Sequence, residues 1–361
     1  MNTSTSSPAS ALPEASGSAH SPDSPVFPAA ARTLPRIVVL ATGGTIAGAA
    51  SDPANTAGYE AGVLSIEQLL ATIPALGKVA RLDAEQLANL DSKDMTLAFW
   101  TTLAQRVNAL LGDDAIDGVV ITHGTDTLEE TAYLLHLTVK SSKPVVLTAA
   151  MRPATALSAD GPLNLLNAVT LAASPAARGQ GVLVALNNRI HSARDAVKTS
   201  TFAVDAFHSP EAGVLGWVQD ARVELVRRVV RPHTLDTEFV IGSAWPHVEI
   251  VTSYAGVSRA LVEGLVAAGV RGIVVAGTGN GSIHETLQQA LVDALTQGIA
   301  VVRSSRVGSG HVMHNGAAAD DALGFVTADS LNPYKARVLL MLALAAGAAG
   351  PVALQRVFDL Y

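Results

Sequence analysis

Short apolar runs rich in β-branched residues recur along the chain, and each stops at glycine, proline or a small polar residue. Runs of that length bounded by turn residues predict buried strands at 37–41, 118–122, 144–148 and 181–186. Between them the apolar positions return at helical spacing, which predicts helices over 65–73, 96–111, 128–137 and 164–173. The stretch 227–246 holds Pro232, Pro246 and few periodic apolar positions, and reads as a linker between domains. Beyond it the pattern resumes, with strands at 248–253, 272–276 and 299–303 and helices at 258–268, 284–297 and 334–346.

Strands that alternate with helices imply a mostly parallel sheet covered on both faces. The expected fold is α/β, with a larger N-terminal domain over 35–226, a linker over 227–246 and a smaller C-terminal α/β domain over 247–361. Residues 1–34 are rich in Ser, Ala and Pro and predict a disordered tail. That tail carries neither a basic start nor an apolar stretch of signal-peptide length, which favours the cytoplasm as the location. The apolar segment 338–354 is broken by Gly347, Gly350 and Pro351, too short to span a membrane, and reads as a buried or subunit-facing helix.

Composition narrows the chemistry. With 49% hydrophobic but only 4% aromatic residues, the core must be built from Ala, Val and Leu, which suits helices packed closely on a sheet. A formal charge of -7 argues against nucleic acid or an anionic membrane as partner and points to a small molecule. The absence of cysteine excludes disulfides, thiol nucleophiles and cysteine-ligated metals. His311 and His314 have no evident third ligand, so no metal site is expected.

Two strand ends carry hydroxyl chemistry. Val38-Val39-Leu40-Ala41 runs into Thr42-Gly43-Gly44-Thr45-Ile46-Ala47-Gly48, and Gly118-Val119-Val120-Ile121 runs into Thr122-His123-Gly124-Thr125-Asp126-Thr127-Leu128. Each places a threonine after glycine at the carboxyl end of a strand, where open α/β sheets build their sites. A threonine hydroxyl is a weak nucleophile that needs a neighbouring base, and glycines let a substrate carbonyl approach backbone N–H groups. Taken alone, Thr45 also fits a turn or a phosphate loop, Thr125 and Asp126 fit helix caps, and Lys198 fits a solvated surface lysine. Against a nucleotide, Gly-Gly-Thr lacks both the phosphate-loop lysine and the Gly-x-Gly-x-x-Gly spacing. The stretch 48–62 has no apolar period, carries Tyr59, and is expected to be mobile and to close as a lid. His123 reads as a buried hydrogen-bonding residue, and Glu129 and Glu130 as first-turn charges favoured by the helix dipole.

The two threonine segments, in this order and about eighty residues apart, resemble the paired signatures of the bacterial type II asparaginase/glutaminase family. Further likeness runs through Ala150-Met151-Arg152-Pro153, Ser158-Ala159-Asp160-Gly161-Pro162, Gly277-Thr278-Gly279-Asn280-Gly281, Ser304-Ser305-Arg306 and Leu331-Asn332-Pro333, so it covers nearly everything from Arg36 to Tyr361. The resemblance implies an amidohydrolase that converts L-asparagine to L-aspartate and ammonia through an acyl ester on Thr45, with no cofactor. It makes Tyr59 the lid partner that polarises Thr45, and sets Thr125, Lys198 and Asp126 opposite as the group that positions the attacking water. Asp126 and Ser92 would bind the substrate's ammonium and carboxylate, with Thr125 and Ser282 completing its pocket. It also implies a homotetramer with sites at subunit interfaces.

The chain departs from the family at two points. After Ser92 the family has Gln or Glu, which accepts from the substrate ammonium, whereas Lys93 only donates. The glutamate expected from the neighbouring C-terminal domain is missing from Gly316-Ala317-Ala318-Ala319-Asp320. Either recognition of the α-amino group is weakened, or Lys93 turns outward and Asp320 or Asn315 takes over. Serine at 282, where asparagine-selective relatives often have asparagine, leaves room for one methylene and for glutaminase side activity. Two other readings stay open: a hydrolase of a different ω-amide, and an amino-acid-binding relative that has lost turnover.

Overall fold

The computed structural model describes residues 33–56, 58–242 and 244–361. The tail read from the sequence lies, as far as residue 32, outside the described residues. The chain then forms β1 (Arg36–Gly43), β2 (Arg81–Leu90), β3 (Gly118–Thr122), β4 (Val145–Thr148), β5 (Val182–Leu186) and β6 (Arg189–Ser192). A small ribbon of β7 (Val197–Lys198) and β8 (Phe207–His208) precedes β9 (Gly216–Gln219) and β10 (Arg222–Leu225). Helices α1 (Ile66–Ala71), α2 (Leu97–Leu111), α3 (Leu128–Thr138) and α4 (Gly161–Ala173) connect the parallel strands.

The first sheet has eight strands in the order β10-β9-β6-β5-β4-β3-β1-β2. Strands β2, β1, β3, β4 and β5 run parallel, and β6, β9 and β10 extend one edge antiparallel. Period-two alternation sends Val38, Leu40, Val119 and Ile121 to one face, against Leu103 and Val107 of α2 and Leu128 and Leu135 of α3. Ile37, Val39, Val120 and Val146 point to the other, against Ile66 and Leu69 of α1 and Leu165 and Val169 of α4. Both faces are buried, which is why these strands read as unbroken apolar runs. Strand β2 escapes that pattern: it is an edge strand with polar positions at Asp83, Glu85 and Gln86 and no fully buried residue.

From β1 the chain crosses to β2 on one side, and from β3 it crosses to β4 on the other. The carboxyl ends of the paired strands β1 and β3 therefore flank a topological switch point, the crevice where such sheets bind ligands. Thr45 follows the first of these strands and Thr125 the second.

The C-terminal sheet is smaller and wholly parallel, in the order of its strands β11 (Val248–Thr252), β12 (Gly272–Gly277), β13 (Ala300–Ser305) and β14 (Val326–Thr327). Helices α5 (Ala260–Ala267) and α6 (Glu285–Thr296) cover one face, and the short α7 (Asp320–Leu323) leads into β14. The other face meets α8 (Pro333–Ala345) and α9 (Pro351–Leu360). The apolar segment read as one helix is thus two, parted by a turn in which Gly347 and Gly350 take φ of 87° and 78°. No helix among the described residues is long and apolar enough to cross a membrane.

Helix α8 is buried on nearly every side because it also packs on the first sheet's helices. Val338, Leu339 and Met341 share one core with Trp100 of α2 and with Tyr133, Leu134 and Leu137 of α3. Between β10 and β11 the described chain holds one 3-10 turn, Thr234–Asp236, yet it is not loose: Phe239 is buried in the same core against Tyr361.

Candidate active site

Three turns meet at the switch point. Gly43 and Gly44 leave β1 with φ of 106° and 83°, conformations that side chains disfavour, and Thr45 opens a 3-10 turn over Thr45–Ala47. A Cβ on Gly44 would stand 2.5 Å from the backbone nitrogen of Gly124, and one on Gly124 would collide with the Ser92 side chain. Glycines are thus what allow the turns after β1, β2 and β3 to touch, and that contact gathers Thr45, Ser92 and Thr125 in one place.

The Thr45 hydroxyl lies 2.6 Å from the Tyr59 hydroxyl. The segment carrying Tyr59 is pinned by paired backbone bonds between Ala49 and Glu60, each 3.0 Å, and by the Gly62 N–H to the Gly44 carbonyl at 3.2 Å. A Cβ at Gly48 would press on the tyrosine ring at 2.9 Å, so glycine there admits the ring. Thr45 is only 7% exposed and Thr125 only 5%.

Capping does not account for Thr125 and Asp126. Helix α3 starts at Leu128 with Thr127 as its cap residue, and no side chain caps it. Lys198 Nζ instead donates to Thr125 Oγ1 at 2.8 Å and to Asp126 Oδ1 at 2.6 Å. Ser92 binds the same turn from the other side: its hydroxyl accepts the Asp126 N–H at 3.2 Å and its carbonyl accepts the Thr127 hydroxyl at 2.7 Å. Having taken that N–H, the Ser92 hydroxyl still has its own proton to donate. Half the Asp126 side chain remains exposed, which leaves its second oxygen for an incoming cation.

Two readings of the neighbouring residues need correction or extension. Glu129 lies in the first turn of α3 as read, but it is buried, with one oxygen accepting the Lys198 backbone N–H at 2.7 Å and the other accepting Asn332 Nδ2 at 2.6 Å. Glu130 is mostly buried as well, and desolvation raises its carboxyl to about 7. His123 sits in the interior against the Gly124 carbonyl at 2.7 Å, and burial pushes it down to about 4.

Lys93 is exposed and engaged with Asp91 at 2.6 Å and Asp94 at 3.1 Å, contacts that hold its pKa above the usual lysine value. Asp320 does not replace the missing glutamate. It is fully buried, and both its oxygens are taken by Arg303, at 2.8 and 2.6 Å, with the Asn315 N–H on one of them at 2.7 Å. The Asn315 side chain is tied to Asp321 through both its polar atoms. Arg303, which carries no local signal in the sequence, also donates to the carbonyls of Asn280 and Met313 at 2.8 Å each, and so clamps the loop of Ser282 to the loop around 313–316. Ser282 itself pairs with Thr278, and among the described residues no hydrogen bond joins it to the threonine group. His311 and His314 turn to separate carboxylates, Asp329 and Asp321.

Two hydroxyls at one switch point, one with a phenol and one with an ammonium group, define an α/β enzyme site suited to a small polar substrate. Residues 36–231 match the family described as asparaginase, N-terminal, and residues 247–358 match the glutaminase/asparaginase C-terminal domain. L-asparaginase 2 of Bacillus subtilis (strain 168) is 46% identical over 315 residues, covering 87% of this chain and 83% of that protein. The probable L-asparaginase periplasmic of Haemophilus influenzae is 47% identical over 316 residues, covering 87% and 90%. Among solved structures, the probable cytoplasmic L-asparaginase from Campylobacter jejuni matches with a TM-score of 0.88 at 47% identity, covering 91% of this chain and 100% of that one. The chain belongs to the asparaginase family.

Proposed function

We propose that the chain hydrolyses the side-chain amide of L-asparagine, releasing L-aspartate and ammonia, with glutaminase side activity. The observation that carries this reading is the pair of hydroxyls, each with its own proton-handling partner: Thr45 with Tyr59, and Thr125 with Lys198.

In the first half-reaction Thr45 Oγ1 attacks the amide carbon as its proton passes to the Tyr59 oxygen, while the phenol hands its own proton on toward the leaving nitrogen. The Thr45 backbone N–H after the Gly-Gly turn and the Thr125 hydroxyl receive the oxyanion. The C–N bond breaks as the nitrogen takes up a proton, ammonia leaves, and an aspartyl ester remains on Thr45. In the second half a water oriented by Thr125 attacks the ester carbon, with Lys198 and Asp126 relaying its proton. Thr45 regains its hydrogen and aspartate departs. Side chains and water handle every proton, so the reaction calls for no cofactor or metal.

Ser92 donates to the substrate carboxylate, and the free oxygen of Asp126 accepts from its ammonium. The burial of both threonines supports a lid role for the Tyr59 segment, which must open to admit substrate. No hydrogen bond among the described residues joins Ser282 to the threonine group of its own chain, which fits a homotetramer in which this loop from a neighbouring copy completes each pocket. Likeness to the probable cytoplasmic L-asparaginase from Campylobacter jejuni supports a cytoplasmic location for this chain, and cell fractionation tests it.

Ammonia release from L-asparagine, L-glutamine and succinamate by purified protein, with Thr45→Ala as control, tests the reading. Threonine-dependent release from asparagine is expected. Release that survives Thr45→Ala would remove the nucleophile assignment, and no release from any of the three would remove the amidohydrolase.

A further inference from the structure

Lys198 acts from a strand of two residues, β7, which by itself cannot fix the position of a side chain. What holds it comes from elsewhere in the chain. Lys335, in the first turn of α8, is 1% exposed and donates through Nζ to the carbonyls of Arg194, at 2.7 Å, and Ala196. Glu129 takes the N–H of Lys198 itself. Asn332 joins the two halves: its Nδ2 donates to Glu129, and its Oδ1 accepts the Lys335 N–H at 3.0 Å as the cap of α8. Three backbone polar groups within 194–198 are therefore each gripped by a buried charged side chain.

Glu129 sits in the first turn of α3, where the helix dipole favours it, but neither charge is needed to pack the interior. Burying an ammonium and a carboxylate is costly, and here that cost is offset by the Arg194 and Ala196 carbonyls and the Lys198 N–H they satisfy, which apolar residues would leave unpaired. Desolvation is strong enough to pull Lys335 down to about 8. Such groups are retained where they impose one geometry, and here the geometry imposed is that of the chain leading into Lys198.

We propose that Glu129, Asn332 and Lys335 are positioning residues for catalysis, through which the C-terminal domain sets Lys198 Nζ against Thr125 and Asp126. This rests on the amidohydrolase reading above. Coupling of the C-terminal domain's first α8 turn to the proton relay means that the relay forms only when α3 and α8 are docked.

The test uses the donor and acceptor pattern of the Glu129–Asn332 contact. Glu129→Gln still accepts from Lys198 but turns an N–H toward the Asn332 N–H. Asn332→Asp keeps the cap on α8 but sets a carboxylate against Glu129. The double variant restores one donor facing one acceptor with the original net charge. Asparagine hydrolysis is measured well below each variant's melting temperature, with circular dichroism as the check on folding. Each single variant is expected to lose kcat about tenfold or more with KM changed by less than about threefold, because misplacing a catalytic group costs rate before binding. The double variant is expected to recover kcat to within about threefold of the native value. Native kcat in both single variants, or a double variant no better than either, overturns the proposal. If Glu129→Gln does not fold, Asn332→Asp carries the test alone with the same kcat criterion. Absence of hydrolysis by the native chain would instead overturn the amidohydrolase reading, and this proposal with it.

Discussion

Gly44 and Gly124 touch backbone to backbone, so that the turns bearing Thr45 and Thr125 lie together with no side chain between them. Gly44→Ala forces the turn apart and places a Cβ at φ 83°, ψ -177°, a region left to glycine. The strain alone is about 1–3 kcal/mol. Loss of stability in denaturant titration should accompany a fall in kcat of at least about tenfold. A variant as stable and active as the native chain would show that the turns do not need this contact.

Tyr59→Phe removes one oxygen and leaves the ring against Gly48. If the phenol carries the Thr45 proton, kcat should drop by about 10²–10⁴ while the melting temperature stays near native. Steady-state kinetics with asparagine decides it, since a change in KM alone would make Tyr59 a binding residue only.

At position 93 the chain offers a donor where the family offers an acceptor. Since Asp320 and Asn315 are both committed elsewhere, Asp126 stands as the ammonium contact identified at this site. Lys93→Glu supplies a second. A charged hydrogen bond contributes about 1.5–3 kcal/mol, so preference for asparagine over succinamate should rise at least about tenfold. An unchanged ratio would mean that residue 93 does not face the substrate.

Acid should destabilise the fold through its interior histidines. Burial pushes His136 down to about 3 and His123 and His191 to about 4, whereas an unfolded histidine binds its proton near about 6.5. Below that pH the unfolded chain takes up protons that the native state refuses, so stability present above about 6.5 is lost as pH falls toward 4. Glu130 acts with opposite sign: its carboxyl, raised to about 7, is protonated natively before it is protonated unfolded. These three histidines, joined by His233, whose pKa burial also lowers, outnumber the single Glu130, so stability should fall on the order of a few kcal/mol per pH unit between pH 6 and 5. Urea midpoints at those two values, at one protein concentration, measure the slope. A flat profile would show that these histidines take up protons without unfolding.

Much of the fold and half of the site are legible in the sequence because they are local. The strands β1, β3, β4 and β5 announce themselves as apolar runs, and the threonines follow glycines at their ends. Strand β2 does not, since an edge strand with half-exposed positions has no such run. Glu129 reads as a first-turn charge of α3, which it is, and nothing in the sequence signals that it is buried. Its burial is decided by Asn332, 203 residues away, and no local pattern records that. The same holds for Arg303, which looks like any strand residue until Asp320 and three loop carbonyls close around it.

The core shared by α2, α3 and α8 has an optical consequence. Of the chain's three tryptophans, Trp100 lies within this core and Trp245 packs against it, their rings edge to face at 6.3 Å, with the Trp245 indole N–H held by Thr101 at 3.0 Å. Trp217 lies on β9, toward the far edge of the large sheet. Intrinsic fluorescence of this protein is therefore weighted toward the seam between its two sheets. A Trp217→Phe chain would carry a built-in reporter of whether that seam is shut.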